Sequence, residues 1–79
     1  MEDLKLFTGN FCPYCIKVER FIKKNNIEDV EIVNINKDLE AQNYLIEKGG
    51  KRQIPCLFID DEALYESNDI INYLQEKFL

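Results

Sequence analysis

Two cysteines three positions apart, Cys12 and Cys15, stand where a short apolar run gives way to an amphipathic helical pattern, and that junction constrains the fold of this 79-residue chain most. Before the pair, Leu4-Lys5-Leu6-Phe7-Thr8 is apolar-rich and stopped by Gly9-Asn10, which predicts a strand leading into a turn. Pro13 suits the first turn of a helix, because its fixed φ is already helical and its missing N–H would have had no helical partner. A helix is therefore expected to begin between the two cysteines. Along it Cys15, Val18, Phe21 and Ile22 recur at three-to-four spacing, Lys17, Glu19, Arg20, Lys23 and Lys24 take much of the other face, and Asn25-Asn26 closes it.

The rest of the chain continues the alternation. Val30-Glu31-Ile32-Val33-Asn34-Ile35 is β-branched with partial alternation and predicts a second strand. Asp38 offers an N-cap for a helix running to Gly49-Gly50, with Leu39, Tyr44, Leu45 and Ile46 as its apolar contacts. After Pro55 the apolar run Cys56–Ile59, the turn Asp60-Asp61 and the stretch Ala63-Leu64-Tyr65 predict a hairpin. Ser67 can cap a last helix whose Ile70, Ile71, Leu74 and Phe78 fall on one stripe, as core-packing residues do. The order β-α-β-α-β-β-α predicts an α/β fold: a right-handed β-α-β unit and a hairpin forming a four-stranded mixed sheet flanked by three helices, with residues 1–79 as a single domain.

Charge and cysteine count remove several classes of function. Ten basic against fifteen acidic residues leave a net charge of -5, unlike a general nucleic-acid or anionic-membrane binder, which relies on Lys and Arg. The chain opens on Met-Glu-Asp without a charged-then-apolar leader and contains no long apolar run, so the cytoplasm is the expected compartment; a monomer is the expected state. In that reducing setting three cysteines do not suggest a disulfide framework, and with no His and only Cys56 outside the first pair a tetrahedral zinc site lacks ligands. Redox chemistry is the better use of the pair. A sulfur at residue 12 would face the free N–H groups that begin the helix, which favour the thiolate, the species that attacks disulfides. Cys12 is thus the expected nucleophile, and Cys15, one turn later and more shielded, the resolving thiol.

Cys12-Pro13-Tyr14-Cys15 after a first strand resembles the active-site motif of dithiol glutaredoxins, on the thioredoxin-like fold, and the resemblance covers essentially the whole chain. It implies glutathione as co-substrate, no metal, and disulfide-containing or glutathionylated proteins as partners. Gln53-Ile54-Pro55 is similar to the family's loop before the third strand, where the proline is cis and supports the cysteines, and the backbone of Ile54 would pair with the cysteinyl unit of glutathione. Glu66-Ser67-Asn68-Asp69 resembles the corner that holds the γ-glutamyl end, which assigns that role to Ser67 and Asn68 at a helix N-terminus. Tyr14 would flank the sulfur and pack on the bound peptide, and Lys51, Arg52 or Gln53 would reach the glycine carboxylate. Cys56, in an apolar strand, reads as a buried and inert thiol.

Two departures from the family accompany these matches: Phe7-Thr8-Gly9-Asn10-Phe11 lacks the Lys that many members carry before the first Cys, and Tyr65-Glu66 replaces a Gly-Gly. They keep open a second expectation, a redoxin recharged by a thioredoxin reductase-type flavoprotein. A third, an iron–sulfur carrier with Cys12 bridging a dimer, needs four thiolate ligands and is poorly served by the rigid Pro13.

Overall fold

The computed structural model describes residues 3–79. Its elements are β1 (Leu4–Thr8), α1 (Pro13–Lys24), β2 (Val30–Asn34), α2 (Leu39–Gly49), β3 (Cys56–Ile59), β4 (Glu62–Leu64) and α3 (Ser67–Phe78). The strands form one sheet in the order β2-β1-β3-β4. β1 and β2 are parallel, from Leu4 opposite Val30 to Thr8 opposite Asn34, while β3 is antiparallel to both β1 and β4. This is the four-stranded mixed sheet with three helices that the element order predicts, a thioredoxin-like fold.

Because successive strand residues point to opposite faces, β1 and β3 supply both cores. Leu4, Leu6 and Leu57 face Val18 and Ile22 of α1 and Ile70 and Leu74 of α3. Phe7, Cys56 and Phe58 face Ala41 and Leu45 of α2, together with Ile35. A side chain of this size taken fully out of water stabilises the fold by about 1.5–3 kcal/mol, so two half-cores sharing one sheet suit so short a chain.

Local chemistry sets the ends of the elements. Asp38 is extended at φ -139° and its carboxylate accepts the Ala41 N–H, capping α2. Gly50 closes that helix at φ 85°, a left-handed conformation that glycine adopts without a Cβ penalty, and its N–H donates to the Ile46 carbonyl. In the hairpin turn Asp60 also takes a positive φ, 55°, while its N–H donates to the Asp3 carbonyl.

Four sequence expectations need correction. Leu39 and Ile46 do not face the core: they are 69% and 42% exposed, because the buried line of α2 runs through Ala41 and Leu45, and Ile46 is turned about 100° from Leu45. The second strand ends at Asn34; Ile35 is nonetheless buried, and its N–H reaches the Thr8 carbonyl at 2.8 Å. Tyr65 lies outside the hairpin strand and turns its hydroxyl to the Gly49 carbonyl at 2.9 Å, tying the end of α2 to the hairpin. Ser67 is not the N-cap of α3; it is the first helical residue, and Glu66 occupies the cap position at φ 70° with no side-chain cap bond. A residue already in helical geometry cannot take the non-helical backbone that a capping serine uses.

Candidate active site at the amino end of the first helix

Cys12 is the N-cap of α1, extended at φ -113° and ψ 100°, with Pro13 as the first helical residue as predicted. Its Sγ accepts the Cys15 N–H at 3.2 Å, and its carbonyl accepts the Ile16 N–H at 3.0 Å. Cys12 and Cys15 are joined in a disulfide with their Cα atoms 5.2 Å apart. Cys15 is fully buried, whereas Cys12 remains partly exposed. One sulfur can meet a partner; the other is reached only through it. The first turn of α1 carries no acidic residue to oppose a thiolate, and the cations Lys23 and Lys24 complement the far end of the helix dipole.

The loop before Cys12 is fastened by contacts between distant segments. The Asn36 side-chain oxygen accepts the Asn10 N–H at 2.6 Å, Asn34 donates its amide to the Asn10 side-chain oxygen at 3.1 Å, and the Asn34 side chain in turn accepts the Asn36 N–H at 2.8 Å. Gly9 lies under this knot: a Cβ there would come within 2.5 Å of Ile54 Cδ1 and 2.7 Å of Asn36 Oδ1. Phe11, directly before Cys12, takes φ 55° with its ring fully in solvent. Sequence reading missed this asparagine knot, because three scattered polar residues carry no periodic signal.

Beside the disulfide is a cleft of about 540 Å³, lined by Tyr14, by the loop Gln53-Ile54-Pro55 and by residues 66–69. The Ile54–Pro55 peptide is cis, as the family resemblance implies. Tyr14, Gln53, Ile54, Pro55, Ser67 and Asn68, drawn from three parts of the sequence, therefore line one space. Of the three residues named for a glycine carboxylate, only Gln53 lines it: Lys51 lies over the Tyr65 ring at 4.6 Å and Arg52 donates to Gln42 at 3.2 Å. Lys17, read from sequence as part of a solvated helix face, reaches across to Asn68 Oδ1 at 2.7 Å and brings a cation to the start of α3. Glu66 and Asp69 bring carboxylates to the same corner. Glu66 holds a positive φ of 70°, a conformation that a glycine would take without strain.

Cys56 is fully buried and free, and burial pushes its thiol up to about 11, against smaller opposing contributions from the Tyr65 hydroxyl, the Leu64 backbone and Lys51. Among the described residues no group of three or more His, Cys, Asp or Glu side chains could hold a metal ion, and no helix is long and apolar enough to cross a membrane.

The Glutaredoxin family model matches residues 4–64, from the start of β1 to the end of β4. The chain belongs to the glutaredoxin family. Glutaredoxin 1 of Rickettsia prowazekii is similar to this glutaredoxin at 32% identity over 78 residues, spanning 96% of this chain and 81% of the relative. Among solved structures, a thioredoxin-like protein superposes with a TM-score of 0.77 at 30% identity, covering 92% of this chain and 96% of the other. Glutathione transferase Omega 3C from Trametes versicolor gives a TM-score of 0.80 over 99% of this chain and 33% of its own; at 22% identity that likeness concerns the fold. With its family and its Cys12–Cys15 disulfide, this glutaredoxin is a thiol–disulfide oxidoreductase. The corner at residues 66–69 lies beyond the stretch that the family model matches.

Proposed function

We propose that this glutaredoxin reduces protein disulfides and glutathione mixed disulfides through Cys12 and Cys15 and is recharged by glutathione. One observation carries the reading: the half-buried sulfur of Cys12 caps α1 beside a cleft that joins a cis-proline loop to the N-terminus of α3. In the reduced protein the Cys12 thiolate, favoured by the helix amides, attacks one sulfur of the substrate disulfide; the other sulfur leaves as a thiolate and takes a proton from water. Cys15, once deprotonated, attacks Cys12 Sγ, which releases the second substrate thiol and closes the internal disulfide. Two electrons and two protons pass to the substrate. Two glutathione thiols then reverse the exchange on the protein and leave as glutathione disulfide.

In this reading the backbone of Ile54 pairs with the cysteinyl unit, Gln53 meets the glycine carboxylate, Ser67 and Asn68 hold the γ-glutamyl end, and Tyr14 and Pro55 flank the peptide. No resident metal is required, and the protein acts as a monomer in the cytoplasm. The missing Lys between Phe7 and Phe11, together with the Glu66 and Asp69 carboxylates in the cleft, favours one competing reading, recharging by a thioredoxin reductase-type flavoprotein.

Titrating a reduced Cys15→Ser variant with glutathione disulfide, followed by mass spectrometry, separates the two. A stable adduct on Cys12 is expected. No adduct, combined with direct reduction of the wild-type disulfide by the flavoprotein, would select the competitor. In steady state with glutathione, glutathione reductase and NADPH, Cys12→Ser is expected to abolish turnover of a small mixed disulfide.

A further inference from the structure

We propose that the groove between α1 and α3 next to the disulfide docks the substrate protein, and that it selects disulfides with acidic side chains about four to six residues from the attacked cysteine. This rests on Cys12 being the thiol that attacks protein disulfides, and it adds which proteins are attacked.

Three features converge. Any protein disulfide that reaches Cys12 must lie over its neighbours, and three of the seven large apolar side chains that stand exposed among the described residues are there: Phe11 at 101%, Tyr14 at 64% and Ile16 at 48%. From this apolar rim a groove of about 400 Å³ leads away along the helix, with Pro13, Ile16, Phe21 and Ile71 as its apolar lining and Arg20 and Lys24 as cations beside them. The charge of this face opposes that of the chain. α1 carries Lys17, Arg20, Lys23 and Lys24 against Glu19 alone, in a protein of net charge -5.

Lys17 is engaged by Asn68, whereas Arg20 and Lys24 have no ion-pair partner among the described residues. A face of this sign gives an acidic segment a favourable approach in a chain that is acidic as a whole. The distance follows from the helix: at 1.5 Å per residue, Arg20 and Lys24 lie about 12 and 18 Å along the axis from Cys12, a reach that an extended peptide covers in about four to six residues.

The test uses the reduced full chain in single turnover, so that no electron donor enters. Two peptides with the same internal disulfide carry either three Asp or three Lys at the fourth to sixth positions beyond the second cysteine, and formation of the Cys12–Cys15 disulfide is followed by alkylation and mass spectrometry. Oxidation by the Asp peptide is expected to be about tenfold faster at low salt, and the ratio should fall toward one in about 0.5 M salt. In the Arg20→Glu/Lys24→Glu variant the ratio should drop to near one or invert. Equal rates for the two peptides, or a preference that the variant leaves intact, would overturn the docking assignment. A small symmetrical disulfide run in parallel separates the two levels: if it is reduced while the peptides do not differ, docking alone fails, and if neither it nor the peptides react, the reading beneath it fails as well.

Discussion

Burial separates the three thiols by what they can do. Cys12 is partly in solvent, Cys15 is reached only through Cys12, and Cys56, on β3, is buried against α2 with its thiol pushed up to about 11. A thiol whose value is raised on folding keeps its proton in the native state while the unfolded chain loses it. Stability is therefore intact below the ordinary thiol value of 9.0 and declines as pH climbs from there toward about 11. Denaturant titrations of the oxidised protein at a series of pH values should show this fall, and Cys56→Ala should flatten it. The difference between the two proteins removes the contribution of Tyr44, raised by burial and by Asp61, and reports Cys56 together with Tyr65, whose hydroxyl is raised by burial and by Cys56 itself. Native reduced protein treated with iodoacetamide at pH 8 is expected to be modified at Cys12 and spared at Cys56.

At the level of the element, the three helices begin in three different ways. α1 uses the Cys12 sulfur as its cap, α2 uses the Asp38 carboxylate, and α3 has no side-chain cap. The first links reactivity to fold, since the group that begins the helix is the group proposed to react. Asp38→Ala should cost about 1 kcal/mol in denaturant titration, the usual worth of a capping side chain. Ser67→Ala should cost much less, because Ser67 is helical and caps nothing. Under the proposed function its loss should instead raise the KM for glutathione by about threefold to tenfold, the worth of one hydrogen bond. A cap-sized loss of stability with an unchanged KM would return Ser67 to a structural role.

For the molecule as a whole, the sheet's central strands β1 and β3 feed both cores, so a single side chain there reaches far. Phe58 is 1% exposed and packs edge-on against Phe7 and Tyr44, each with ring centroids 5.0 Å away. Phe58→Ala should cost about 3–5 kcal/mol, a large share of the roughly 4–12 kcal/mol that a domain of this length holds. Its urea midpoint should fall accordingly, whereas Ile32→Ala on the edge strand β2, where the side chain is 45% exposed, should move it by less than about 1 kcal/mol.

The order of elements and the position of the cysteine pair were readable without coordinates, because both rest on local signals: apolar period, a proline in the first turn of α1, and stop residues after each run. What neighbours in space contribute was not. Whether Ile46 faced the core beside Leu45, and whether Ser67 stood before α3 or inside it, turned on a rotation of about 100° or one residue of register, which adjacent residues of similar type do not report. Lys17 on Asn68, Asn10 on Asn36 and the choice of Gln53 over Lys51 and Arg52 join segments that the chain's own periodicity does not relate. The cleft beside Cys12 is a product of folding: its walls come from α1, the cis-proline loop and the start of α3, and only packing on a shared sheet brings them together.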